Sequence, residues 1–186
     1  GYIVPSAIGY IENEMPRMVK TPWFNTEVPF NMAAEVGTQK VINEHSTIGL
    51  VITTDGSITD IPREEYAEAE QRVIEELELI HKPYVVVLNC QHPDSAESKA
   101  LAEELSEKYK RPVVPLNCLE IGEQSIKELL AEILLQFPVK EINIKIPKWL
   151  TALEKGHWLK SDIFASLKKS AADITNIGEV LSLIHI

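Results

Sequence analysis

Three short polar stretches follow three apolar runs in this chain, and their side chains could contact a ligand. The stretches are Thr53-Thr54-Asp55-Gly56, Asn89-Cys90-Gln91-His92 and Asn117-Cys118-Leu119-Glu120. Continuous apolar runs are typical of strands that are covered on both faces in a parallel sheet. The loops at the carboxyl ends of such strands line the ligand crevice of an open α/β sheet. We therefore expect the three stretches to converge on one crevice.

Asn89 has the clearest potential role among these residues. Its side-chain amide offers both a donor and an acceptor, so it could hydrogen-bond to backbone around a nucleotide base. The alternative is that Asn89 only caps its own loop by bonding the backbone of the next turn. GTPases of the phosphate-loop class carry Asn-Lys-x-Asp at this kind of position, and the final Asp reads guanine. Here Cys90 and His92 stand in place of the Lys and the Asp, which indicates a GTPase-like domain that does not specify guanine.

Asn117 and Cys118 occupy the place of the last loop of a GTPase domain, whose backbone normally meets the base. Asp55, beside two threonines, could be a metal-binding acid, but we favour an Asp-Gly turn that leaves a strand. The two cysteines, Cys90 and Cys118, lack the short spacing of a zinc site, and the five histidines are scattered. We therefore expect reduced thiols and no metal site built by this chain alone.

Composition excludes several classes of function. The chain has 186 residues, 45% hydrophobic content and a formal net charge of −10, enough for one α/β domain and a short appendage. The acidic balance argues against non-specific binding of nucleic acid or of anionic lipid through the whole surface. No apolar run approaches the roughly 20 residues of a membrane span. We expect no nucleic-acid partner and no transmembrane segment.

Helices and strands alternate along the chain, which predicts the fold class. Hydrophobic spacing predicts helices over 31–45, 62–79, 95–109 and 123–136, and strands over 48–52, 84–89, 112–117 and 139–146. This order implies parallel pairing through right-handed crossovers. We predict an α/β fold with a doubly wound, mostly parallel sheet of the GTPase-like, phosphate-loop nucleotide hydrolase type, incomplete in this chain.

Local signals refine these elements. Asn31 is the expected N-cap of the first helix, and Asp94 or Ser95 that of the third. Pro115 places its strand toward an edge of the sheet. Residues 1–30 are rich in proline and are expected to form a long ordered loop. The helix over 123–136 is expected to bury its apolar stripe, Ile126, Leu129, Leu130, Ile133 and Leu134.

Three regions are expected along the chain. Residues 1–146 would be the C-terminal part of the nucleotide-binding domain, and 147–180 the start of a helical region with a long helix over 161–177. Residues 181–186 break the helical pattern and read like a translated sequencing adapter, so we expect a non-native tail; the alternative is a genuine hydrophobic tail. The chain contains no Gly-x-x-x-x-Gly-Lys-Ser/Thr and does not begin with Met. We therefore expect a piece of a longer polypeptide.

An ordered set of short motifs carries a resemblance to a known family. The set comprises Gly1-Tyr2, Gly9-Tyr10, Pro16-Arg17-Met18, Thr21-Pro22-Trp23, Pro29-Phe30, Ala33-Ala34-Glu35, Gly37-Thr38, Glu44-His45-Ser46-Thr47-Ile48-Gly49, Val51-Ile52-Thr53-Thr54-Asp55-Gly56, Phe137-Pro138-Val139, Pro147-x-Trp149 and Gly156-His157-Trp158-Leu159. In this combination the chain strongly resembles the stage IV sporulation protein A family of spore-forming bacteria, over about residues 1–180.

The resemblance implies an ATPase of the GTPase-like class that uses ATP and Mg²⁺. Such a protein would form the basement layer of the spore coat, in the mother-cell cytoplasm at the outer surface of the forespore. ATP hydrolysis would drive its self-association into a static polymer. A small amphipathic membrane-bound peptide would help to recruit it, and other spore coat proteins would be partners.

The resemblance also implies where the nucleotide would lie. The family's phosphate loop and metal acid would precede Gly1, whose backbone amide would approach the terminal phosphate. The expected nucleotide-binding residues are thus Gly1, Asn89, Asn117 and Cys118, with no catalytic residue and no metal ligand in the chain. Because phosphoryl transfer depends on positioning and electrostatics, the chain alone is expected to hydrolyse ATP negligibly. Two alternatives are a GTP-binding switch with degenerate base recognition and a nucleotide-free structural interaction module.

Overall fold

The structure, a computed structural model, describes residues 2–172 and 174–184, and the side chains up to residue 182. The chain divides into two compact units, Gly1–Ile133 and Leu134–Ile186.

The N-terminal segment forms two small antiparallel hairpins. Strand β1 pairs with β2, and β3 pairs with β4, with the bounds Ile11–Glu12, Met15–Pro16, Met18–Val19 and Val28–Pro29. Asn13 and Glu14 join the first pair, and both adopt positive φ angles, 53° and 62°, as a tight hairpin turn requires. The predicted loop over residues 1–30 is therefore partly paired, because the turn brings its flanking residues into register.

The main sheet has three parallel strands. These are β5, Gly49–Thr54, β6, Tyr84–Asn89, and β7, Val113–Leu116, in the order β5-β6-β7. Val51 pairs with Val86, and Val86 pairs with Val113. Residues 84–88 of β6 are completely buried, since both faces of a central parallel strand are covered. The α/β class with a parallel sheet is confirmed, as is the edge position of the strand that contains Pro115.

Four helices alternate with these strands, and the last of them ends two residues beyond the boundary of the first unit. They are α1, Phe30–Lys40, continued by a π-helical turn, Val41–His45, then α2, Arg63–Leu79, α3, Ala96–Tyr109, and α4, Glu123–Leu135. Ser95 caps α3 because its Oγ accepts from the N–H of Ser98 at 3.1 Å. The prediction that Asn31 caps α1 is wrong. The helix begins one residue earlier, directly after the extended Pro29 that leaves the second hairpin.

The core lies between the sheet and helices α2 and α3. One cluster joins Val51, Tyr84 and Val86 of the sheet to Ile74 and Leu77 of α2. A second joins Leu88 to Ala102 and Leu105 of α3. Burying such side chains contributes about 1.5–3 kcal/mol each. The sheet is thereby held rigid beneath the loops at its carboxyl edge.

The apolar stripe of α4 is not buried, contrary to prediction. None of the residues of α4 is buried, and Ile126, Leu130 and Leu134 are exposed. The helical spacing identified a genuine stripe, but burial also needs a neighbouring element, and the part of the chain that the structure describes places none over this side.

The second unit is helical. It contains α5, Lys148–Ala152, α6, Trp158–Ala172, and α7, Ile177–Ile184. The predicted strand over 139–146 is wrong: this stretch has no regular structure, and only the neighbouring Pro138 forms an isolated bridge, with Asn176. Alternation alone cannot make a strand without an adjacent strand to supply the ladder.

Helix α7 begins with a reciprocal cap. The Asn176 Oδ1 accepts from the N–H of Glu179 at 3.0 Å, and the Glu179 carboxylate accepts from the N–H groups of Thr175 and Asn176. The bonds from Thr175 are the main cause that lowers the pKa of Glu179. The helix predicted over 161–177 corresponds to α6, which ends at Ala172, before α7 begins at Ile177. Residues 181–184 continue α7, so the predicted break in the helical pattern is wrong. Residues 185 and 186 of the predicted non-native tail lie outside the described residues, and that origin stays a prediction.

Among the residues that the structure describes, no helix combines the length and the apolar character needed to cross a membrane.

Candidate functional site

The three polar stretches meet at the carboxyl edge of the sheet, as predicted. The N–H of Gln91 donates to the Ser57 Oγ at 3.0 Å, joining the loops after β5 and β6. The Asn117 Nδ2 donates to the Gln91 carbonyl oxygen at 3.2 Å, joining the loops after β6 and β7. Parallel strands bring their ends to one edge, and these bonds fix the loops there.

Asn89 ties two of these loops together. Its Oδ1 accepts from the N–H of Cys118 at 3.0 Å, across 29 positions of sequence. Asn89 therefore caps a distant loop and not its own, so the interpretation as a cap of its own loop is wrong, while contact with a nucleotide stays a prediction. Its Nδ2 has no hydrogen-bond partner within residues 2–172 and 174–184. The Oδ1 of Asn89 thus positions the loop that contains Cys118, and its Nδ2 remains available to donate to another group.

Asn117 shapes its own loop with both ends of its amide. The Oδ1 accepts from the N–H of Leu119 at 3.0 Å, while the Nδ2 is occupied by Gln91. Asn117 is therefore suited to positioning the loop. Leu119, which the sequence analysis did not single out, is 91% exposed beside it. The sequence did contain a signal for this exposed residue, because an apolar side chain directly follows Asn117-Cys118 in a polar loop.

Cys90 and Cys118 differ in environment although both are free. Cys90 is buried, its N–H donates to the Leu116 carbonyl oxygen at 2.9 Å, and burial raises the pKa of its thiol. Cys90 is therefore a buried thiol that is held in its neutral form. Cys118 is exposed.

Asp55 forms a turn, as the favoured interpretation predicted. Its Oδ1 accepts from the N–H of Ser57 at 2.9 Å and from the hydroxyl of Ser57 at 2.6 Å. Its Oδ2 accepts from the Ser98 hydroxyl of α3 at 3.4 Å. Gly56 has a φ of +90°, and a Cβ there would lie 3.1 Å from the backbone nitrogen of Arg63, so a residue with a side chain would be strained in this turn.

Metal-binding geometry is missing from the described residues. Across residues 2–172 and 174–184, no group of three or more His, Cys, Asp or Glu side chains could hold a metal ion. The Asp55 carboxylate is already engaged by two serines. The described residues therefore contain no preassembled set of side-chain ligands for Mg²⁺.

Gly1, a predicted nucleotide-binding residue, lies outside the described residues, but its neighbour Tyr2 is anchored on α2. The Tyr2 hydroxyl donates to Glu76, and the Arg72 guanidinium lies 4.0 Å from the centre of the Tyr2 ring. Arg72 also pairs with Glu35 of α1. Burial, followed by the bond to Glu76, raises the pKa of Tyr2 to about 12. The sequence analysis did not predict this anchor.

A buried polar network lies below the carboxyl end of β5. The Glu70 side chain, 2% exposed, pairs with Arg63 at 2.7 Å and accepts from the Tyr109 hydroxyl at 2.6 Å. Burial raises the pKa of Tyr109. The signal in the sequence was the position of Glu70, four residues before Ile74 on the inward side of α2.

Comparison with known proteins gives two family matches. The family model described as "Stage IV sporulation protein A, ATPase domain" matches residues 1–138. The model described as "Stage IV sporulation protein A, middle domain" matches residues 139–185. No solved structure matches the chain.

Curated relatives agree with these matches. Stage IV sporulation protein A of Clostridioides difficile (strain 630) is 48% identical over 185 residues, which is 100% of this chain and 38% of that protein. The Bacillus subtilis (strain 168) protein of the same name is 46% identical over 180 residues, 97% of this chain and 37% of that protein. The Bacillus anthracis protein is 43% identical over 180 residues, with the same coverage.

The chain thus spans less than two fifths of the length of these relatives. The matches nevertheless extend over almost every residue of it. The chain belongs to the stage IV sporulation protein A family, and it carries sequence of that family's ATPase and middle domains.

Proposed function

We propose that this chain contributes the base-binding side of a nucleotide site in a sporulation ATPase. The single observation that carries the proposal is the tied set of loops at the carboxyl edge of the sheet. Asn89 joins the loops after β6 and β7 through Cys118, and Ser57 adds the loop after β5. The match to the ATPase domain of the family supports the nucleotide as ligand.

The side chains at this edge favour adenine over guanine. Guanine presents two N–H groups that a carboxylate accepts well, and the position of that carboxylate is taken by the exposed His92. The free Nδ2 of Asn89 can donate to an acceptor of the ligand or of the backbone around it. Leu119 offers an apolar surface on which a purine ring could lie. The base would then be recognised by hydrogen bonds to backbone and by packing against Leu119, without the carboxylate that reads guanine.

Hydrolysis is assigned to groups outside this chain. The family implies Mg²⁺ for ATP hydrolysis, yet the described residues contain no preassembled set of side-chain ligands for that ion, and we derive no catalytic step from them. Residues 1–186 alone are expected to hydrolyse ATP negligibly. Magnesium-dependent ATP turnover by the isolated chain, well above a boiled control, would contradict the proposal that the catalytic groups lie outside residues 1–186.

We also propose a setting for the longer polypeptide, by resemblance to the family. We place the longer polypeptide in the mother-cell cytoplasm, at the outer surface of the forespore, where ATP hydrolysis drives its self-association into a polymer. A small amphipathic membrane-bound peptide and other spore coat proteins are the proposed partners. The names of the relatives support a role in sporulation. The formal net charge of −10 supports the absence of a nucleic-acid partner.

The decisive variant is Asn89→Ala in the longer polypeptide encoded by the native gene. Losing the Asn89 acceptor removes the exposed hydrogen bond that fixes the Cys118 loop, at a cost of about 0.5–1.5 kcal/mol. We expect ATP affinity, measured by titration calorimetry, to fall about tenfold. GTP should bind the unchanged protein no more tightly than ATP does.

Asn143→Ala is the matched control, because Asn143 is exposed in the irregular segment of the second unit. It should leave both affinities unchanged. If Asn89→Ala and Asn143→Ala bind ATP equally well, the carboxyl-edge loops do not contact the nucleotide site. A clear preference for GTP would favour the GTP-binding switch instead.

A further inference from the structure

The Asp55 carboxylate forms hydrogen bonds in two directions from the loop after β5. Its Oδ1 accepts from the Ser57 hydroxyl at 2.6 Å, and its Oδ2 accepts from the Ser98 hydroxyl at 3.4 Å. Ser98 is 4% exposed and lies in the first turn of α3. One oxygen of Asp55 is thus held by a buried residue of a helix, while the other contacts a residue of its own loop.

The bond to Asp55 fixes the direction of the Ser57 hydroxyl. A carboxylate can only accept hydrogen bonds, so the hydrogen of the Ser57 hydroxyl points toward Asp55. The Ser57 Oγ then has lone pairs left, and it accepts from the N–H of Gln91 at 3.0 Å. Without Asp55 the hydroxyl would be free to rotate. Asp55 therefore acts on the loop after β6 through Ser57.

The backbone of Gln91 extends this chain of hydrogen bonds to the loop after β7. Its carbonyl oxygen accepts from the Asn117 Nδ2 at 3.2 Å. The Asn117 Oδ1 in turn accepts from the N–H of Leu119 at 3.0 Å. A continuous chain of hydrogen bonds thus runs from Ser98 in α3, through Asp55, to the exposed Leu119.

We propose that Asp55 is a positioning residue of the nucleotide site. It directs the Ser57 hydroxyl so that the Gln91 backbone is held, and the Gln91 backbone and Asn117 then determine where Leu119 lies against the base. The inference rests on the proposed function, because only a base bound at this edge gives the position of Leu119 a functional consequence. Asp55 contributes geometry and takes no part in hydrolysis.

Positioning and metal binding make different demands on residue 55. The affinity of a site for a hard divalent cation depends on the number of its charged oxygen ligands, so a metal-binding role would need the carboxylate. Positioning needs only an oxygen that accepts from Ser57, which an asparagine amide also supplies. Asp55→Asn therefore preserves the bond to Ser57, and Asp55→Ala removes it.

ATP binding by the longer polypeptide, measured by titration calorimetry, tests the proposal. Asp55→Ala should weaken ATP binding about fivefold. Ser57→Ala should weaken it by a similar factor, because the acceptor for the Gln91 N–H is lost. Asp55→Asn should weaken it by less than about twofold. Asp60→Ala is the matched control, since Asp60 is exposed in the same loop, and it should leave the affinity unchanged.

Steady-state kinetics distinguish positioning from a general loss of structure. In Asp55→Ala the KM for ATP should rise about fivefold while kcat changes by less than about twofold, because the base side does not act on the terminal phosphate. A fall in kcat that matches the rise in KM would overturn the proposal. If Asp55→Ala does not fold, the exposed Ser57→Ala decides by the same criteria.

Amide hydrogen exchange without nucleotide gives a readout that does not depend on the proposed function. In Asp55→Ala and Ser57→Ala the amides of Gln91 and Leu119 should exchange about tenfold faster than in the unchanged protein. The amide of Val87, in the buried strand β6, should keep its rate. Unchanged exchange of Gln91 in both variants would overturn the proposal.

The two sets of measurements separate this inference from the proposed function. If Asn89→Ala weakens ATP binding but Asp55→Ala and Ser57→Ala do not, the inference is wrong and the proposed function stands. If Gln91 exchanges faster but all three variants bind ATP normally, the loops bind no nucleotide, and both are wrong. If Asp55→Asn weakens ATP binding as much as Asp55→Ala does, Asp55 acts by its charge and is not a positioning residue.

Discussion

Hydrogen bonds of side-chain amides and hydroxyls position the loops at the carboxyl edge of the sheet. Asn89 and Asn117 both follow parallel strands, but Asn89 keeps its Nδ2 free of protein partners among the described residues, whereas Asn117 uses both ends of its amide. Only a residue with a spare donor or acceptor can contact a ligand without breaking the loop that positions it. Asn89 is therefore the side chain of this edge best placed to contact the proposed nucleotide, and Asn117 to support it.

At the residue scale, Glu70 is predicted to be the most sensitive charged position of the first unit. Glu70→Ala removes the partner of Arg63 and the acceptor of the Tyr109 hydroxyl. Breaking a buried pair by removing one partner costs about 3–5 kcal/mol. We expect the free energy of unfolding in urea to fall by about 3 kcal/mol. Glu68→Ala, an exposed position on the same helix, should change it by less than about 0.5 kcal/mol, and similar losses for both would contradict the network.

Three tyrosines give the protein a predicted alkaline limit. Burial is the main cause that raises the pKa of Tyr2, to about 12, and those of Tyr84 and Tyr109; hydrogen bonds to glutamates add to it. The folded state therefore holds these protons above the unfolded pKa of about 10. Their stabilisation is complete below about pH 10 and is lost as the pH rises through the folded values.

Urea midpoints measured from neutral to strongly alkaline pH should show this decline, and tyrosinate absorbance should rise with it. Tyr109→Phe should make the decline shallower. A stability that stays flat or increases above about pH 10 would contradict the raised pKa values.

At the scale of elements, Lys82 closes the end of the helix formed by α1 and its π-helical turn. Its Nζ donates to the carbonyl oxygens of Ile42 at 2.7 Å and Ser46 at 2.6 Å. A cation at a helix C-terminus satisfies carbonyls that have no partner within the helix. The contact also fixes α1 beside the start of β6.

Lys82→Met should therefore lower the free energy of unfolding by about 1–3 kcal/mol. Amide exchange over the turn Val41–His45 should quicken. Lys99→Met is the control, since Lys99 pairs only with the exposed Asp94, and such pairs contribute little. Unchanged exchange over Val41–His45 in Lys82→Met would show that Lys82 does not hold the turn.

The elements that could be predicted from sequence were those with local signals. Strand β6 is a continuous apolar run entered through Pro83, and α3 has a capping serine before a helical stripe. The strand predicted over 139–146 and the buried stripe predicted on α4 failed for a shared reason. Their patterns record which side would be buried, but burial also requires a neighbour that sequence periodicity does not identify.

The location of the candidate site could be predicted from the sequence, but the hydrogen bonds within it could not. The rule for parallel strands placed the three loops at one edge, and the structure joins them there. The bond from Cys118 to Asn89 could not be predicted, because it depends on the separation of β6 and β7 in space. The burial of Glu70 could have been inferred from its helical position.

At the scale of the whole molecule, one side of the first unit is hydrogen-bonded and packed, and another exposes apolar residues. The carboxyl-edge loops are cross-linked by hydrogen bonds and rest on a buried sheet, while β5 and α4 present apolar residues that nothing described covers. This asymmetry agrees with a chain that spans less than two fifths of its relatives. In the function that we propose, the base side of the nucleotide site is organised here, and the triphosphate side elsewhere in the longer polypeptide.

Photolabelling tests this assignment most directly. The longer polypeptide would be irradiated with an ATP analogue that carries an azide on the adenine ring, and the labelled peptides identified by mass spectrometry. We predict saturable labelling, displaced by ATP, within residues 89–92 and 117–120. Labelling that ATP displaces but that maps entirely outside these two loops would contradict the account.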